Sequence, residues 1–169
     1  MSVVGVGIDL VDLERIARML EDKGEHAMGR LFTPEERAYL ATRPDPTGNA
    51  AARIAAKEAV YKAMQALPGA RAIGWRDIEV TRDPEGRPAI RLHGLAARLA
   101  DEAGGVKVQV SLTHSALSAG AVAVVSAAPP TAEFSIHRCA AKVAVCGRGG
   151  ARRRASQATP SPASPAHPA

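Results

Sequence analysis

The chain has 169 residues, with 22 lysines and arginines against 17 aspartates and glutamates, and a formal net charge of +5. Its apolar fraction of 46% is enough to build a core, which excludes wholesale disorder. No apolar run approaches the roughly 18 residues that cross a bilayer, and the N-terminus lacks a signal-peptide pattern. We therefore expect a cytoplasmic protein.

The positive charge is confined to the end of the chain. Residues 1–128 hold 16 basic and 16 acidic residues, whereas residues 129–169 hold six basic residues and one acidic residue. The second segment is also rich in Pro, Ala and Ser, a composition that cannot bury a core. We predict a neutral globular domain over residues 1–128 and a basic, disordered tail over residues 129–169.

The domain begins with an apolar, β-branched run. Residues 3–10 predict a buried strand, interrupted only by Gly5 and Gly7. Asp12 follows the run and is placed to cap an amphipathic helix that comes next.

Two further helices are indicated by their start and stop signals. Thr33, Pro34 and Glu36 have the spacing of a capping box with proline at the first helical position. A Pro/Asp/Gly-rich turn is predicted over residues 44–49. Residues 50–67 then predict the longest helix, because they are Ala-rich and contain no Gly or Pro.

The remaining elements alternate between strands and one helix. Residues 77–82 and 88–92 predict a hairpin, and residues 94–103 predict a helix ended by a pair of glycines. Residues 107–113 and 120–126 predict two antiparallel strands. The order indicates an α+β fold in which helices pack on a mainly antiparallel sheet.

Two acidic residues interrupt this pattern at places where chemistry is possible. Asp9 ends a predicted apolar strand, where a carboxylate is costly unless it is paired, hydrogen-bonded or bound to a metal. The alternative is that Asp9 caps the helix that follows. Glu58 and Lys62 are four residues apart and share a helix face. They could hold a metal and a phosphate side by side, or form an ordinary surface ion pair. Arg53, on the flank of that face, could add a phosphate contact.

A third polar group follows a predicted strand. Thr113, His114 and Ser115 are suited to contacts with a phosphate or a ring. A serine hydrolase is not indicated, because the chain has no Gly-x-Ser-x-Gly elbow. The phosphate loop of nucleotide hydrolases and the Gly-x-Gly-x-x-Gly fingerprint are missing as well.

Five segments, in this order and spacing, resemble one family. They are residues 5–11 (Gly-Val-Gly-Ile-Asp-Leu-Val), 53–59 (Arg-Ile-Ala-Ala-Lys-Glu-Ala), 75–80 (Trp-Arg-Asp-Ile-Glu-Val), 86–88 (Gly-Arg-Pro) and 110–115 (Val-Ser-Leu-Thr-His-Ser). Together they are similar to the holo-acyl-carrier-protein synthases, the small bacterial-type 4′-phosphopantetheinyl transferases. The resemblance covers residues 3–126, and the Ala-Ala-Lys-Glu-Ala segment is its most specific part.

The resemblance implies an enzyme that moves 4′-phosphopantetheine from coenzyme A to a serine of an acyl carrier protein and releases adenosine 3′,5′-bisphosphate. It implies Mg²⁺ held by Asp9, Glu58 and the coenzyme A pyrophosphate, which suits the preference of Mg²⁺ for few carboxylates and substrate phosphates. Lys62 is expected to meet a phosphate oxygen. Either Glu58 or a metal-bound water would deprotonate the serine.

The resemblance also implies the surrounding contacts. Pro88, Thr113 and His114 would line the coenzyme A site, and Arg53 would contribute to its phosphates. Arg15 and Arg18 are expected outward on the first helix, where they would meet an acidic carrier protein.

Members of the family are homotrimers of α+β subunits with active sites between neighbours, so the same assembly is expected here. Neither nucleic acid nor a membrane is an expected partner.

The chain departs from the family pattern in two places. Ile54 stands where an aromatic residue is common, and residues 64–74 replace a short Gly-rich turn, so no pantetheine contact is assigned there. An alternative of a different class is a non-enzymatic binding module that uses its basic tail for nucleic acid or anionic lipid. That alternative predicts salt-sensitive binding that is lost on deletion of residues 129–169.

Overall fold

The computed structural model describes residues 2–127, so the predicted tail over residues 129–169 lies outside the described residues. The helices and strands are β1 Ser2–Asp12, α1 Leu13–Leu31, α2 Pro34–Ala41, α3 Pro46–Met64, β2 Ile78–Arg82, β3 Pro88–Leu92, α4 Gly94–Glu102, β4 Val106–His114 and β5 Ser118–Ala127. Two 3₁₀ turns, Ala70–Ala72 and Trp75–Asp77, lie between α3 and β2.

The strands form two antiparallel sheets. One sheet has three strands in the order β1-β5-β4, and the other is the β2-β3 hairpin. Helix α3 packs against the three-stranded sheet and supplies much of the core, including Ala55, Ala59 and Val60. The predicted α+β class with a mainly antiparallel sheet is confirmed. No helix among residues 2–127 combines the length and apolarity needed to cross a membrane.

Strand β1 lies directly on the backbone of α3. A Cβ atom at Gly5 would overlap the carbonyl oxygen of Ala63, and one at Gly7 would overlap that of Ala59. The opposing residues of α3 are alanines that are almost fully buried. The two glycines are therefore needed because the strand and the helix meet with no side chain between them.

The prediction that β1 is buried was wrong for one of its faces. Val6, Ile8 and Leu10 are 62%, 70% and 71% exposed, whereas Gly7 and Val11 on the other face are buried. The reason is that α3 covers only the inner face of the three-stranded sheet. The strand thus presents an apolar row on the outer face.

The predicted turn over residues 44–49 was also wrong, because α3 begins at Pro46. The Asp45 side chain accepts a hydrogen bond from the Gly48 amide at 2.9 Å, and Pro46 occupies the first turn. These residues start a helix as well as they form a turn. The predicted cap at Asp12 and the capping box between Thr33 and Glu36 are confirmed.

We predict that Gly7→Ala destabilises the domain by about 1–3 kcal/mol, because the added methyl group pushes β1 away from α3. The free energy of unfolding in urea measures this effect. The matched control is Gly29→Ala in α1, where an added Cβ meets nothing within 4 Å. That control should keep the wild-type free energy of unfolding or gain up to about 1 kcal/mol, because alanine has a higher helix propensity than glycine. Equal stability of Gly7→Ala and the wild type would contradict the close approach.

Candidate active site

The crossing of β1 over α3 places an aspartate against a lysine. Asp9 Oδ1 lies 2.9 Å from Lys62 Nζ, and the same ammonium donates to the Ile8 carbonyl oxygen at 3.0 Å. The Asp9 side chain is 18% exposed and that of Lys62 is 45% exposed. Asp9 therefore pairs with Lys62, and it is Asp12 that caps α1.

Glu58 lies one helical turn before Lys62 and is half-buried. Within residues 2–127 its side chain forms neither an ion pair nor a hydrogen bond. The hydrogen bond that Lys62 donates to Asp9 raises the pKa of Lys62 above its ordinary value, and the charge of Glu58 acts in the same direction. Lys62 is thus cationic at neutral pH and pairs with Asp9. We refer to Asp9, Glu58 and Lys62 as the acid–lysine cluster.

A small cavity opens beside Glu58. It has a volume of about 250 Å³ and is called the Trp75 cavity below. Its lining residues come from α3 and from the segment that follows it: Lys57, Glu58, Tyr61, Ile73, Gly74, Trp75 and Ile78. The cavity and the acid–lysine cluster therefore share Glu58.

Lys57, the neighbour of Glu58 in the chain, is a buried structural charge. Its ammonium lies 2.7 Å from Glu36 Oε2 and donates to the carbonyl oxygens of Leu31 at 2.8 Å and Trp75 at 2.9 Å. The two charged side chains are 0% and 1% exposed. Burial lowers the pKa of Lys57, and the charge of Glu36 opposes that effect. Lys57 therefore ties α1, α2 and the Trp75 turn to α3.

A second cavity brings together three of the predicted coenzyme A contacts. Arg53, Pro88 and His114 line a space of about 310 Å³, to which Arg82 and Gly86 also contribute. We call this space the Arg53–His114 cavity. Its charged lining is mainly basic, which suits an anionic ligand.

Arginines from α3, from β2 and from the loop after α2 lie around one tyrosine ring next to this cavity. The guanidinium carbons of Arg53, Arg43 and Arg82 lie 3.9, 4.5 and 5.4 Å from the centroid of the Tyr39 ring. None of these arginines forms an ion pair with a carboxylate in the part of the chain that the structure describes. Arg53 is buried, its Nε has no hydrogen-bond partner among those residues, and burial lowers its pKa. The sequence did not single out Arg43 or Arg82.

The structure separates Thr113 from the other predicted contacts. Alternate residues of β4 face opposite sides of the sheet, so Leu112 and His114 face the Arg53–His114 cavity while Thr113 lies on the outer face. Thr113 pairs with Gly120 of β5, which in turn pairs with Leu10 of β1. Thr113 therefore lies beside the exposed apolar row of β1.

Arg15 and Arg18 are both exposed on α1. Arg18 forms a surface ion pair with Glu14 at 3.0 Å, and both of these side chains are open to solvent. The structure therefore confirms that both arginines face outward on α1.

Comparisons with known proteins decide the family. A family model described as the 4′-phosphopantetheinyl transferase superfamily matches residues 5–123. The chain belongs to this superfamily.

Among curated relatives, the holo-[acyl-carrier-protein] synthase of Rhodopirellula baltica is 45% identical over 103 residues, which are 61% of this chain and 81% of the relative. The synthase of Beutenbergia cavernae is 44% identical over 122 residues, 72% of this chain and 97% of the relative. The solved ACPS–CoA complex of Chronobacterium ammoniagenes has a TM-score of 0.65 and 32% identity, and the match covers 76% of this chain and all of that one. The resemblance to holo-acyl-carrier-protein synthases and the fold expected from it are confirmed.

In this phosphopantetheinyl transferase, consecutive residues of the Ala-Ala-Lys-Glu-Ala segment point in different directions. Lys57 enters the core, whereas Glu58 reaches the Trp75 cavity. The sequence missed the role of Lys57, although a lysine among alanines that face the core was the available signal. Its partner Glu36 was recognised only as part of a capping box.

We predict that Lys57→Met destabilises this transferase by about 3–5 kcal/mol, because it leaves the Glu36 carboxylate buried without its cation. The double variant Lys57→Met/Glu36→Gln should recover part of the loss, because it buries no net charge. Urea unfolding of the wild type and the two variants measures the difference. If the single and double variants unfold with the same free energy, the buried ion pair does not have the role assigned to it.

Proposed function

We propose that the acid–lysine cluster is where the chain carries out the reaction of its family, the transfer of 4′-phosphopantetheine from coenzyme A to a serine of an apo-acyl carrier protein. The products are the holo-carrier protein and adenosine 3′,5′-bisphosphate. The observation that carries this proposal is the 2.9 Å contact of Asp9 with Lys62, beside the uncommitted carboxylate of Glu58. The CoA complex of a 32% identical relative supports coenzyme A as the co-substrate.

The carboxylates of the cluster suit a magnesium ion. Among residues 2–127, no group of three or more His, Cys, Asp or Glu side chains could hold a metal. Mg²⁺ is commonly held by one or two carboxylates together with substrate phosphates and waters, so Asp9 and Glu58 fit it. When bound, it would neutralise charge on the pyrophosphate of coenzyme A.

The chain's own side chains have separate tasks in this proposal. Lys62, kept protonated by Asp9, binds an oxygen of the pyrophosphate. Glu58 accepts the proton of the carrier serine, since its carboxylate is free of other partners within the described residues. The serine oxygen forms a bond to the β-phosphorus, and the bond from that phosphorus to the bridging oxygen breaks. The electron pair leaves with adenosine 3′,5′-bisphosphate.

The Arg53–His114 cavity is proposed to bind the nucleotide end of coenzyme A. Arg53 and Arg82 would contact its phosphates, because they lack carboxylate partners among the described residues. His114 would lie near the nucleotide and Pro88 would line the same site, as the family resemblance implies.

We also propose a homotrimer in which neighbouring subunits complete each active site. Arg53 and Lys62 are nine residues apart in α3, which places them about 13 Å apart along the axis and on opposite helix faces. One coenzyme A molecule could therefore contact both residues more easily if Arg53 came from one protomer and Lys62 from its neighbour. The exposed apolar row of β1 and Val122 of β5 offers a surface that a neighbour would cover, next to Thr113.

Arg15 and Arg18 are proposed to contact the carrier protein. Their exposed positions on one helix allow them to attract an acidic partner and to fix its orientation. The cytoplasmic location, and the absence of nucleic-acid and membrane partners, stay predictions from the sequence.

We predict that Asp9→Asn and Glu58→Gln each slow carrier modification about 100-fold or more, because a metal site of this kind contributes several kcal/mol to the transition state. Intact-mass spectrometry of an apo-acyl carrier protein incubated with coenzyme A and Mg²⁺ measures the gain of phosphopantetheine. Glu102→Gln, an exposed change at the end of α4, is the matched control, and circular dichroism checks that each variant is folded. Wild-type rates in both site variants would contradict the assignment.

We predict that the wild type has three times the chain mass in solution, and that Ile8→Lys reduces it to the mass of one chain. A lysine is harmless at this exposed position of a single subunit but costly when a neighbour covers it. Light scattering after size-exclusion chromatography measures the mass, with Ile8→Val as the control. A wild type with the mass of one chain would contradict the trimer.

A further inference from the structure

Arg53 lies between two cavities that differ in charge. On one side is the Arg53–His114 cavity, whose charged lining is mainly basic. On the other side is a cavity of about 220 Å³ that we call the Glu79 cavity. Its lining includes Arg53 and the carboxylates of Glu35, Glu36 and Glu79. The guanidinium of Arg53 therefore has a ligand cavity on one side and carboxylates of the protein on the other.

The carboxylates of the Glu79 cavity compete with a ligand for this guanidinium. Burial lowers the pKa of Arg53, and the charge of Glu36 opposes that effect, so the two groups attract each other. Glu36 is already paired with Lys57 at 2.7 Å, and Glu79 lies 3.5 Å from Arg91. These ion pairs weaken the competition, but they do not fix the position of the Arg53 guanidinium.

The ring of Tyr39 supplies the contact that does fix it. The guanidinium carbon of Arg53 lies 3.9 Å from the centroid of that ring. Within residues 2–127, the side chain of Arg53 has one hydrogen bond, from Nη1 to the Asn49 carbonyl oxygen at 3.4 Å, and its Nε has none. An aromatic face attracts and orients a planar guanidinium without adding negative charge. A carboxylate in the same place would neutralise the cation and compete with an anionic ligand.

The ring, and not the hydroxyl, is the part of Tyr39 that can act in this way. The Tyr39 hydroxyl is buried from solvent and has no hydrogen-bond partner among the described residues, so a ligand in the Arg53–His114 cavity cannot reach it. Helix α2 holds the ring in place through its capping box and through Glu36, which accepts a hydrogen bond from the Val80 amide at 3.0 Å. Val80 lines both cavities.

We propose that Tyr39 is a positioning residue for coenzyme A binding, whose ring holds the Arg53 guanidinium at the Arg53–His114 cavity with its charge intact. This inference rests on the proposed function, which assigns the nucleotide end of coenzyme A to that cavity. The same ring lies 4.5 and 5.4 Å from the guanidinium carbons of Arg43 and Arg82. Its negative face thus offsets the mutual repulsion of three cations that have no carboxylate partners among the described residues.

Kinetics of the full chain test the proposal with two variants of this one residue. Tyr39→Leu keeps an apolar side chain but removes the aromatic face, and Tyr39→Phe is the matched control that removes only the hydroxyl. We expect Tyr39→Leu to raise KM for coenzyme A about tenfold and to leave kcat unchanged, because the ring does not touch the reacting atoms. Tyr39→Phe should have the wild-type KM. The rate of carrier modification, followed by intact mass over a range of coenzyme A concentrations, gives both constants.

Three outcomes of this experiment would overturn the proposal. The first is a wild-type KM in Tyr39→Leu. The second is a KM in Tyr39→Phe that is raised as much as in Tyr39→Leu, because the hydroxyl would then be the acting group. The third is a lower kcat with an unchanged KM. Calorimetry with adenosine 3′,5′-bisphosphate alone should show the same tenfold weakening in Tyr39→Leu and none in Tyr39→Phe.

A measurement on the wild type decides the question if Tyr39→Leu does not fold. The Nε proton of Arg53 is buried beside the Tyr39 ring, so its NMR resonance should be shifted upfield by the ring current and protected from exchange with water. We expect both properties with and without adenosine 3′,5′-bisphosphate, because the ring orders the guanidinium before the ligand binds. An Nε resonance at the position of a free arginine, in rapid exchange with water, would overturn the proposal.

The two proposals fail in different ways. A wild type that neither binds coenzyme A nor modifies a carrier protein would overturn the proposed function. A wild type that does both, together with a folded Tyr39→Leu variant that has the same KM, would overturn only the role of Tyr39.

Discussion

The contact of strand β1 with the backbone of helix α3 is the constraint on which the rest of the structure depends. Gly5 and Gly7 remove the side chains that would keep the two elements apart, and buried alanines do the same on the helix. Asp9 lies on the inner face of the strand, three residues before its end, and the helix carries Glu58 and Lys62. Because the elements touch, the short side chain of Asp9 reaches Lys62 at 2.9 Å.

A buried ion pair gives the site its second support. Lys57 and Glu36 connect five segments of the chain, namely α1, α2, α3, the Trp75 turn and β2. Such a pair contributes little net stability, but removal of one partner is costly. We infer that this ion pair holds the Trp75 turn, which forms one wall of the Trp75 cavity, beside Glu58. One short segment thus supplies both a structural charge, Lys57, and the charge that the proposed function assigns to the reaction, Glu58.

Local signals in the sequence predicted the order of elements, whereas the candidate site residues were assigned through the family resemblance. Asp9, Glu58 and Lys62 stood out as polar exceptions in an apolar pattern, but the pattern also allowed a helix cap and a surface ion pair, and it was the resemblance to the family that grouped the three residues. The outer face of β1 was assigned to the core, since an apolar row in the sequence does not reveal whether another element of the chain covers it. The arginines around Tyr39 come from separate elements, so only the fold brings them together. The family shown by the comparisons also favours the enzyme over a binding module that acts through its basic tail.

The most direct test of the account is the rate at which Gly7→Ala modifies an apo-acyl carrier protein, followed by intact mass at a temperature where the variant is folded. We predict that this variant loses most of the activity, because its methyl group separates Asp9 from Lys62 and Glu58. Gly29→Ala, which places a methyl group in open space on α1, should keep the wild-type rate. A folded Gly7→Ala variant that modifies the carrier at the wild-type rate would contradict the claim that the approach of β1 to α3 builds the active site.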